Sequence, residues 1–302
     1  MENAADSLYR PVMVKKKDGT RRECFDAKPP LKAMQARIQN MIMKKVIYPG
    51  YLTGGLADPK TPRDYVRNAE AHTGARLMVN EDVAKFFPST THEVVYDIWR
   101  FVFRFPKEVA RTLTRLTTRC GELPQGAKTS SYLANLVFWA HEPRLVQWLH
   151  NAGFRYTRYI DDITLSSTAD KTREELGQAI GRVASMLRRH GLRFKRSKHH
   201  IAYAGERMEV TGLTVGERSV GLSRKRKSMI RASVRQCEWA AKKGIFDDAM
   251  QKSAASLVGQ YTRLHRNKGK ALKRRLAALE VSRKLPAIEP VVSAVGIEPT
   301  TR

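Results

Sequence analysis

Acidic residues are scarce in this 302-residue chain: 29 Asp and Glu stand against 56 Lys and Arg, a formal charge of +27. So one-sided a balance excludes an indifferent surface and points to a polyanionic partner, nucleic acid first. Cysteine is scarcer still. Cys24, Cys120 and Cys237 are odd in number, far apart and without a Cys-x-x-Cys pair, which argues against a zinc or dithiol framework. Long apolar runs are also missing. No stretch of 18 uncharged apolar residues occurs, and the opening MENAADSLYRPVMVKKK lacks the apolar core of a signal peptide, so a membrane partner is not expected and the chain reads as cytosolic. What is left is length enough for a large core, in one body or in two to three subdomains.

The pattern along the chain is α+β. Residues 11–42 read as a strand, a turn at Asp18-Gly19 ringed by Lys15, Lys16, Lys17, Arg21 and Arg22, a second strand, and a helix from about Leu31. Pro49, Gly50, Gly54, Gly55, Pro59 and Pro62 crowd the next segment, which is either a linker or a template-facing loop. ARLMVNEDVAKFFPSTT is an apolar strand ending in acids, and Val94, Ile98, Phe101, Val102 and Phe105 then recur at helical spacing. Further on, Pro143 kinks or restarts a helix, and FRYTRYIDDITLSS folds as two strands about Asp161-Asp162. Another helix carries Leu176, Ile180, Val183 and Leu187 on one face, and HHIAYAGERMEVTGLTV adds two short strands, all around one antiparallel sheet. From Ser223 to Lys284 the pattern is three helices with 18 Lys/Arg against 4 Asp/Glu, and the proline-bearing end after residue 285 reads as a flexible tail.

Two adjacent acids between β-forming stretches weaken a strand by mutual repulsion, and alone they read as a solvated hairpin turn. Asp82 changes that reading, because it closes another apolar strand. If the strands are neighbours, three carboxylates meet, and they stay ionised together only around a cation. Hard oxygen ligands of this kind suit magnesium, in a two-metal site for phosphoryl transfer with Asp82 and Asp161 bridging and Asp162 tuning. The Lys15–Arg22 turn offers positive charge to a nucleoside triphosphate.

These residues stand in an order that resembles the reverse transcriptases, and among them the retron reverse transcriptases. Asp82-Val-Ala-Lys-Phe-Phe-Pro-Ser is similar to the first catalytic motif, Leu123-Pro-Gln-Gly-Ala127 to the template and nucleotide loop, and Tyr159-Ile-Asp-Asp162 to the second carboxylate motif. Gly191-Leu192 with Lys198 is similar to the motif whose lysine faces the triphosphate. Asn68-Ala69-Glu70-Ala71-His72 and Val210-Thr211-Gly212 narrow the resemblance to retrons. Ile160 stands where alanine is commoner.

The resemblance implies a right-hand polymerase fold, with fingers at 1–75, an antiparallel-sheet palm with interleaved finger segments at 76–222, a basic three-helix thumb at 223–285, and a flexible tail at 286–302. It implies two Mg2+ ions, replaceable by Mn2+, on Asp82, Asp161, Asp162 and the backbone carbonyl of Val83. Lys17, Arg22, Gln125, Gly126, Lys198 and the Phe86-Phe87 pair would meet the dNTP. On strand alternation Phe86 is taken as the wall under the sugar. Asn68, His72, Val210, Thr211, Gly212, Arg224, Lys225, Arg226 and Lys227 would meet RNA. The implied product is DNA copied from a cognate non-coding RNA and primed from its 2′-hydroxyl. The setting is antiphage defence in the bacterial cytoplasm, with an effector or toxin protein as a further partner. Family chains carry more residues before the first hairpin, so the first helices are expected to be missing here. The rivals are a reverse transcriptase of the group II intron or abortive-infection type and a retired RNA-binding scaffold. An intron enzyme would need room for a DNA-binding domain after the thumb, and a retired scaffold has no reason to keep three acids.

Overall fold

The computed structural model describes residues 6–15, 19–58 and 61–284, the side chains of 280–284 excepted. Lys17 and the expected tail lie outside the described residues. The chain divides between Gly221 and Leu222 into two units.

The first unit opens with β1 (Tyr9–Lys15) and β2 (Arg21–Ala27), an antiparallel ribbon in which Tyr9 pairs with Ala27, followed by α1 (Pro29–Met41). The ribbon is anchored at its base, where Tyr9, Ala27, Leu31 and Ala127 cluster and Gln35 Nε2 donates to the Tyr9 hydroxyl at 2.7 Å. Val12, Met13 and Val14 stay exposed. Next come α2 (Tyr65–Glu70), β3 (Leu77–Asp82), α3 (Phe86–Ser89), α4 (His92–Asp97), α5 (Lys107–Thr117), α6 (Ser130–Leu136) and α7 (Glu142–Asn151). The chain then forms β4 (Arg155–Tyr159), β5 (Asp162–Ser167), α8 (Arg173–Arg189), β6 (His200–Tyr203), β7 (Glu209–Val210), β8 (Leu213–Val215) and β9 (Val220–Gly221).

The principal sheet is antiparallel in the order β4-β5-β3-β6. Its central strand, β3, buries Leu77, Met78 and Val79, and the main core gathers α4 to α8 around it. Two expectations need correction. The strands do not form one sheet: β7, β8 and β9 make a separate three-stranded sheet, because Val210, Leu213 and Val215 find their burial against α2 instead of extending β6. Nor is 92–105 one helix. A π-helical turn at Ile98–Val102 ends the helix, leaving Phe101 at 55% exposure while Ile98 and Trp99 stay buried.

The loop rich in Gly and Pro is neither a linker nor free. The amide of Arg158 donates to the carbonyl of Tyr51 at 2.8 Å, and the amide of Thr53 to the carbonyl of Arg158 at 3.0 Å, so residues 51–53 lie along the edge of β4. Asn68 and His72 lock this arrangement from behind. The Thr53 hydroxyl donates to Asn68 Oδ1 at 2.8 Å, and His72 bridges the hydroxyls of Ser166 and Thr157 at 2.7 and 2.8 Å.

The second unit is three helices, α9 (Arg224–Lys242), α10 (Asp248–Leu264) and α11 (Arg266–Lys284). Ile230, Val234, Cys237, Ala254, Val258, Tyr261, Leu272 and Leu276 are buried, whereas Met229 is exposed. Ser223 caps α9 by accepting from the amide of Arg226.

His72 is fully buried, and burial, helped by the charge of Arg155, pulls its pKa down to about 3. It is therefore neutral in the fold, while an unfolded histidine titrates near 6.5. Below about pH 6.5 the unfolded chain takes up a proton that the folded chain refuses, so stability is full above that pH and is lost toward pH 3. The expected slope is about 1.4 kcal/mol per pH unit. Urea melts between pH 6.5 and 4.5 should show His72→Gln with a slope shallower by about one proton than the unsubstituted chain.

Candidate active site

Register brings the acids together. Asp82, the last residue of β3, pairs directly with Asp162, the first of β5. Tyr159 also pairs with Asp162, which leaves Ile160 and Asp161 as a two-residue turn. Ile160 takes φ +61° there, the left-handed conformation that a β-branched residue resists. The strain is on the order of 1–3 kcal/mol and persists only if surrounding structure enforces it. The amide of Val83 donates to the carbonyl of Asp161 at 2.9 Å, and the amide of Lys195 to the carbonyl of Asp82 at 2.7 Å, so both acid-bearing segments are tied to a common frame.

Asp82 and Asp162 line a cavity of about 720 Å³ together with Tyr65, Lys198, Thr211 and Gly212. Burial and then the neighbouring Asp161 raise the pKa of Asp162 to about 7, with Asp82 adding to the effect and Lys198 opposing it. Burial likewise raises Asp161, again with Asp82 adding, while Lys198 and Arg22 pull it down. The site is short of positive charge. One ammonium, Lys198 Nζ, pairs with Asp82 Oδ2 from a half-exposed side chain, a cation standing where the carboxylates need one. Among the described residues no group of three or more His, Cys, Asp or Glu closes into a coordination cluster. The donors themselves, carboxylate oxygens deficient in countercharge, fit a hard divalent cation such as Mg2+.

The other expected site residues fall into four sets. Arg22 acts electrostatically on Asp161, and Gln125 joins the ribbon through its carbonyl, which accepts from the amide of Phe25 at 2.7 Å beside Gly126. Phe86 and Phe87 require correction. They begin a one-turn helix, so strand alternation does not apply; both rings are buried, with centroids 5.9 Å apart and Phe86 also against Phe138. Phe87 keeps the greater exposure, 8% against 2%. Asn68, His72 and Val210 are buried and offer RNA no surface; they are internal braces. Thr211, at φ +49°, donates its hydroxyl to the carbonyl of Tyr65 at 2.9 Å, binding the Val210-Thr211-Gly212 turn to α2. The two short motifs thus form one body beside the acids. In the second unit Arg224 and Lys225 are exposed, Arg226 Nη2 donates to Gln260 at 3.0 Å, and Lys227 is half-buried.

The sequence reading missed the supports of the turn. Gly54 and Gly55 lie against it: a Cβ on Gly54 would come 2.9 Å from Tyr159, and one on Gly55 2.9 Å from Ile160 and 2.7 Å from Ser131. Arg158 and Glu142, both fully buried, form a two-pronged ion pair at 2.6 and 2.8 Å. Burial alone would lower the pKa of Arg158, but Glu142 outweighs it and holds the guanidinium above its usual value. Alternation hid this pair, since an arginine in a strand reads by default as solvent-facing.

Adjacent antiparallel strands that carry one acid at a strand end and two at the next hairpin, within reach of the charge of Arg22 on a basic ribbon, are the palm of a right-hand polymerase fold. The chain belongs to the reverse transcriptases: the family described as Reverse transcriptase (RNA-dependent DNA polymerase) matches residues 14–215. Within it, the relatives that the chain resembles are retron reverse transcriptases. The chain is 35% identical over 225 residues to the Retron Se72 reverse transcriptase of Salmonella heidelberg (strain 579083-10), covering 74% of this chain and 58% of that one. It is 30% identical over 246 residues to the Retron Ec48 reverse transcriptase of Escherichia coli, covering 79% and 60%. The chain therefore spans less than two thirds of these relatives' length. Among solved structures, apo telomerase from Candida tropicalis matches with a TM-score of 0.51 at 8% identity, over 88% of this chain and 58% of that one. A form truncated from the C-terminal domain gives 0.50 at 10%, over 74% and 56%. These show a shared right-hand fold.

Gly55→Ala tests how tightly the turn is held. Gly55 has φ +69° and no room for a methyl group, so the substitution should lower stability by about 1–3 kcal/mol in thermal melts and displace the Ile160-Asp161 turn.

Proposed function

We propose that the chain is the RNA-directed DNA polymerase of a retron, copying part of a cognate structured RNA into DNA from a 2′-hydroxyl of that RNA, in antiphage defence. The observation that carries the polymerase reading is the Asp82–Asp162 register pair with Asp161 in the adjoining turn. Asp82, Asp161 and Asp162, with the Val83 carbonyl, would hold two Mg2+ ions. These would supply the activated hydroxyl and the stabilised pyrophosphate of nucleotidyl transfer. The chain's own part is positional. Arg22 and Lys198 bring positive charge to the triphosphate, Gln125 and Gly126 flank the template, and Phe87, the more exposed ring, takes the place under the sugar. Lys198 would leave Asp82 as the cations bind.

The retron reading, in preference to an intron or abortive-infection lineage, rests on the paired Asn68–His72 and Val210–Gly212 elements and on the names of the relatives. We read the first unit as fingers and palm and the second as a thumb that grips the duplex product. The start of α9 supports this: Arg224, Lys225, Arg226 and Lys227 crowd the positive end of the helix dipole, an arrangement unfavourable unless an anion is near.

Asp161→Asn should abolish DNA synthesis, by a hundredfold or more, with fold and RNA affinity intact, because a neutral amide does not replace a charged ligand. Primer-extension assays that find activity within tenfold of the unsubstituted chain would remove the assignment. Replacing Arg224, Lys225 and Lys227 with Gln should flatten the dependence of log affinity on log salt by up to about three units, about one for each phosphate no longer neutralised. It should shorten the DNA made per binding event and spare single-nucleotide addition. An unchanged slope in filter-binding titrations would place the grip elsewhere.

A further inference from the structure

Arg158 is the penultimate residue of β4, two residues before the strained Ile160, and its side chain is wholly enclosed. A guanidinium has five N–H groups, and here each has a partner. Nε and Nη2 take the two oxygens of Glu142 at 2.6 and 2.8 Å. Nη2 also donates to the carbonyl of Asn135 at 3.0 Å, and Nη1 to the carbonyls of Ala134 at 3.3 Å and Ile160 at 3.1 Å. Glu142 Oε1 accepts in addition from the hydroxyl of Tyr156 at 2.7 Å. One side chain thereby joins the last turn of α6, the first turn of α7 and the carbonyl next to Asp161.

Stability does not explain such a pair. Apolar residues of similar volume in place of a buried ion pair commonly leave stability unchanged or higher, because desolvation offsets the attraction. What the fork supplies is direction: five planar donors accept only one arrangement of their partners, which an ammonium cannot impose. The element so fixed is the Ile160 carbonyl, in a residue whose backbone conformation must be enforced from outside.

We propose that Arg158, through Glu142, is a positioning residue that sets where Asp161 presents its carboxylate. The proposal rests on the polymerase reading above and deepens it.

Two full-length variants test it: Arg158→Lys, which keeps the charge and loses the fork, and the double variant Arg158→Met/Glu142→Met, which removes both charges. Both should melt cooperatively and bind RNA within twofold of the unsubstituted chain. Mn2+ affinity, read by electron paramagnetic resonance without turnover, should fall at least fivefold. In single-nucleotide addition kcat should fall at least thirtyfold, with KM for dNTP within twofold. A folded variant that keeps both Mn2+ affinity and kcat within twofold overturns the proposal. Failure of both variants to fold overturns it too, since the pair would then be structural. If the unsubstituted chain binds Mn2+ but extends no primer on any RNA, the polymerase reading fails, while the Mn2+ comparison still decides the role of Arg158.

Discussion

Three like charges have to be held within one another's reach, and most of the first unit can be understood as the means of doing so. Carboxylates that approach while buried raise each other's pKa, as Asp162 shows at about 7, and a free chain would relieve this by separating them. Antiparallel pairing forbids separation. Once β3 and β5 are in register from Leu77–Ser167 to Asp82–Asp162, a slip of one residue would turn every buried side chain of β3 to the wrong face, so the burial of Met78, Val79, Ile163 and Leu165 fixes the acids. Hydrophobic burial thus enforces an electrostatic arrangement that is unfavourable by itself. That leaves the site poised for a cation.

The same division of labour holds around the turn. Left-handed Ile160, tightly packed Gly54-Gly55 and the Arg158–Glu142 fork are local features that are unfavourable or indifferent in isolation. Together they leave Asp161 one place to be. On the proposed reading, catalytic geometry gains from such fixed side chains, because positional freedom at the carboxylates that would hold the metal would have to be lost at each turnover.

Charge elsewhere follows a different rule. The ribbon and the second unit carry most of their cations on exposed side chains, where ion pairs such as Arg275–Glu238 add little stability. On the proposed reading these cations serve long-range attraction to a polyanion, which depends on their number and sign more than on their exact position.

The sequence by itself determined the class of secondary structure, the three acids, the basic helical unit and the order of motifs, because each is a local or additive property: apolar spacing, charge count, a short string of residues. The tertiary structure decided what depends on partners remote in the chain. Asn68 and His72 were legible as a motif, but only the positions of Thr53, Thr157 and Ser166 make them buried braces and not a surface for RNA. Phe86 and Phe87 looked like strand residues until the left-handed Lys85 started a helix at that point. The second sheet arose because α2 offered β7, β8 and β9 a place to bury their apolar side chains, which no periodicity in the strands could reveal. Arg158 shows the limit most plainly. A strand arginine is ordinarily read as exposed, and its five partners come from segments up to 24 residues away, so its meaning exists only in the folded chain.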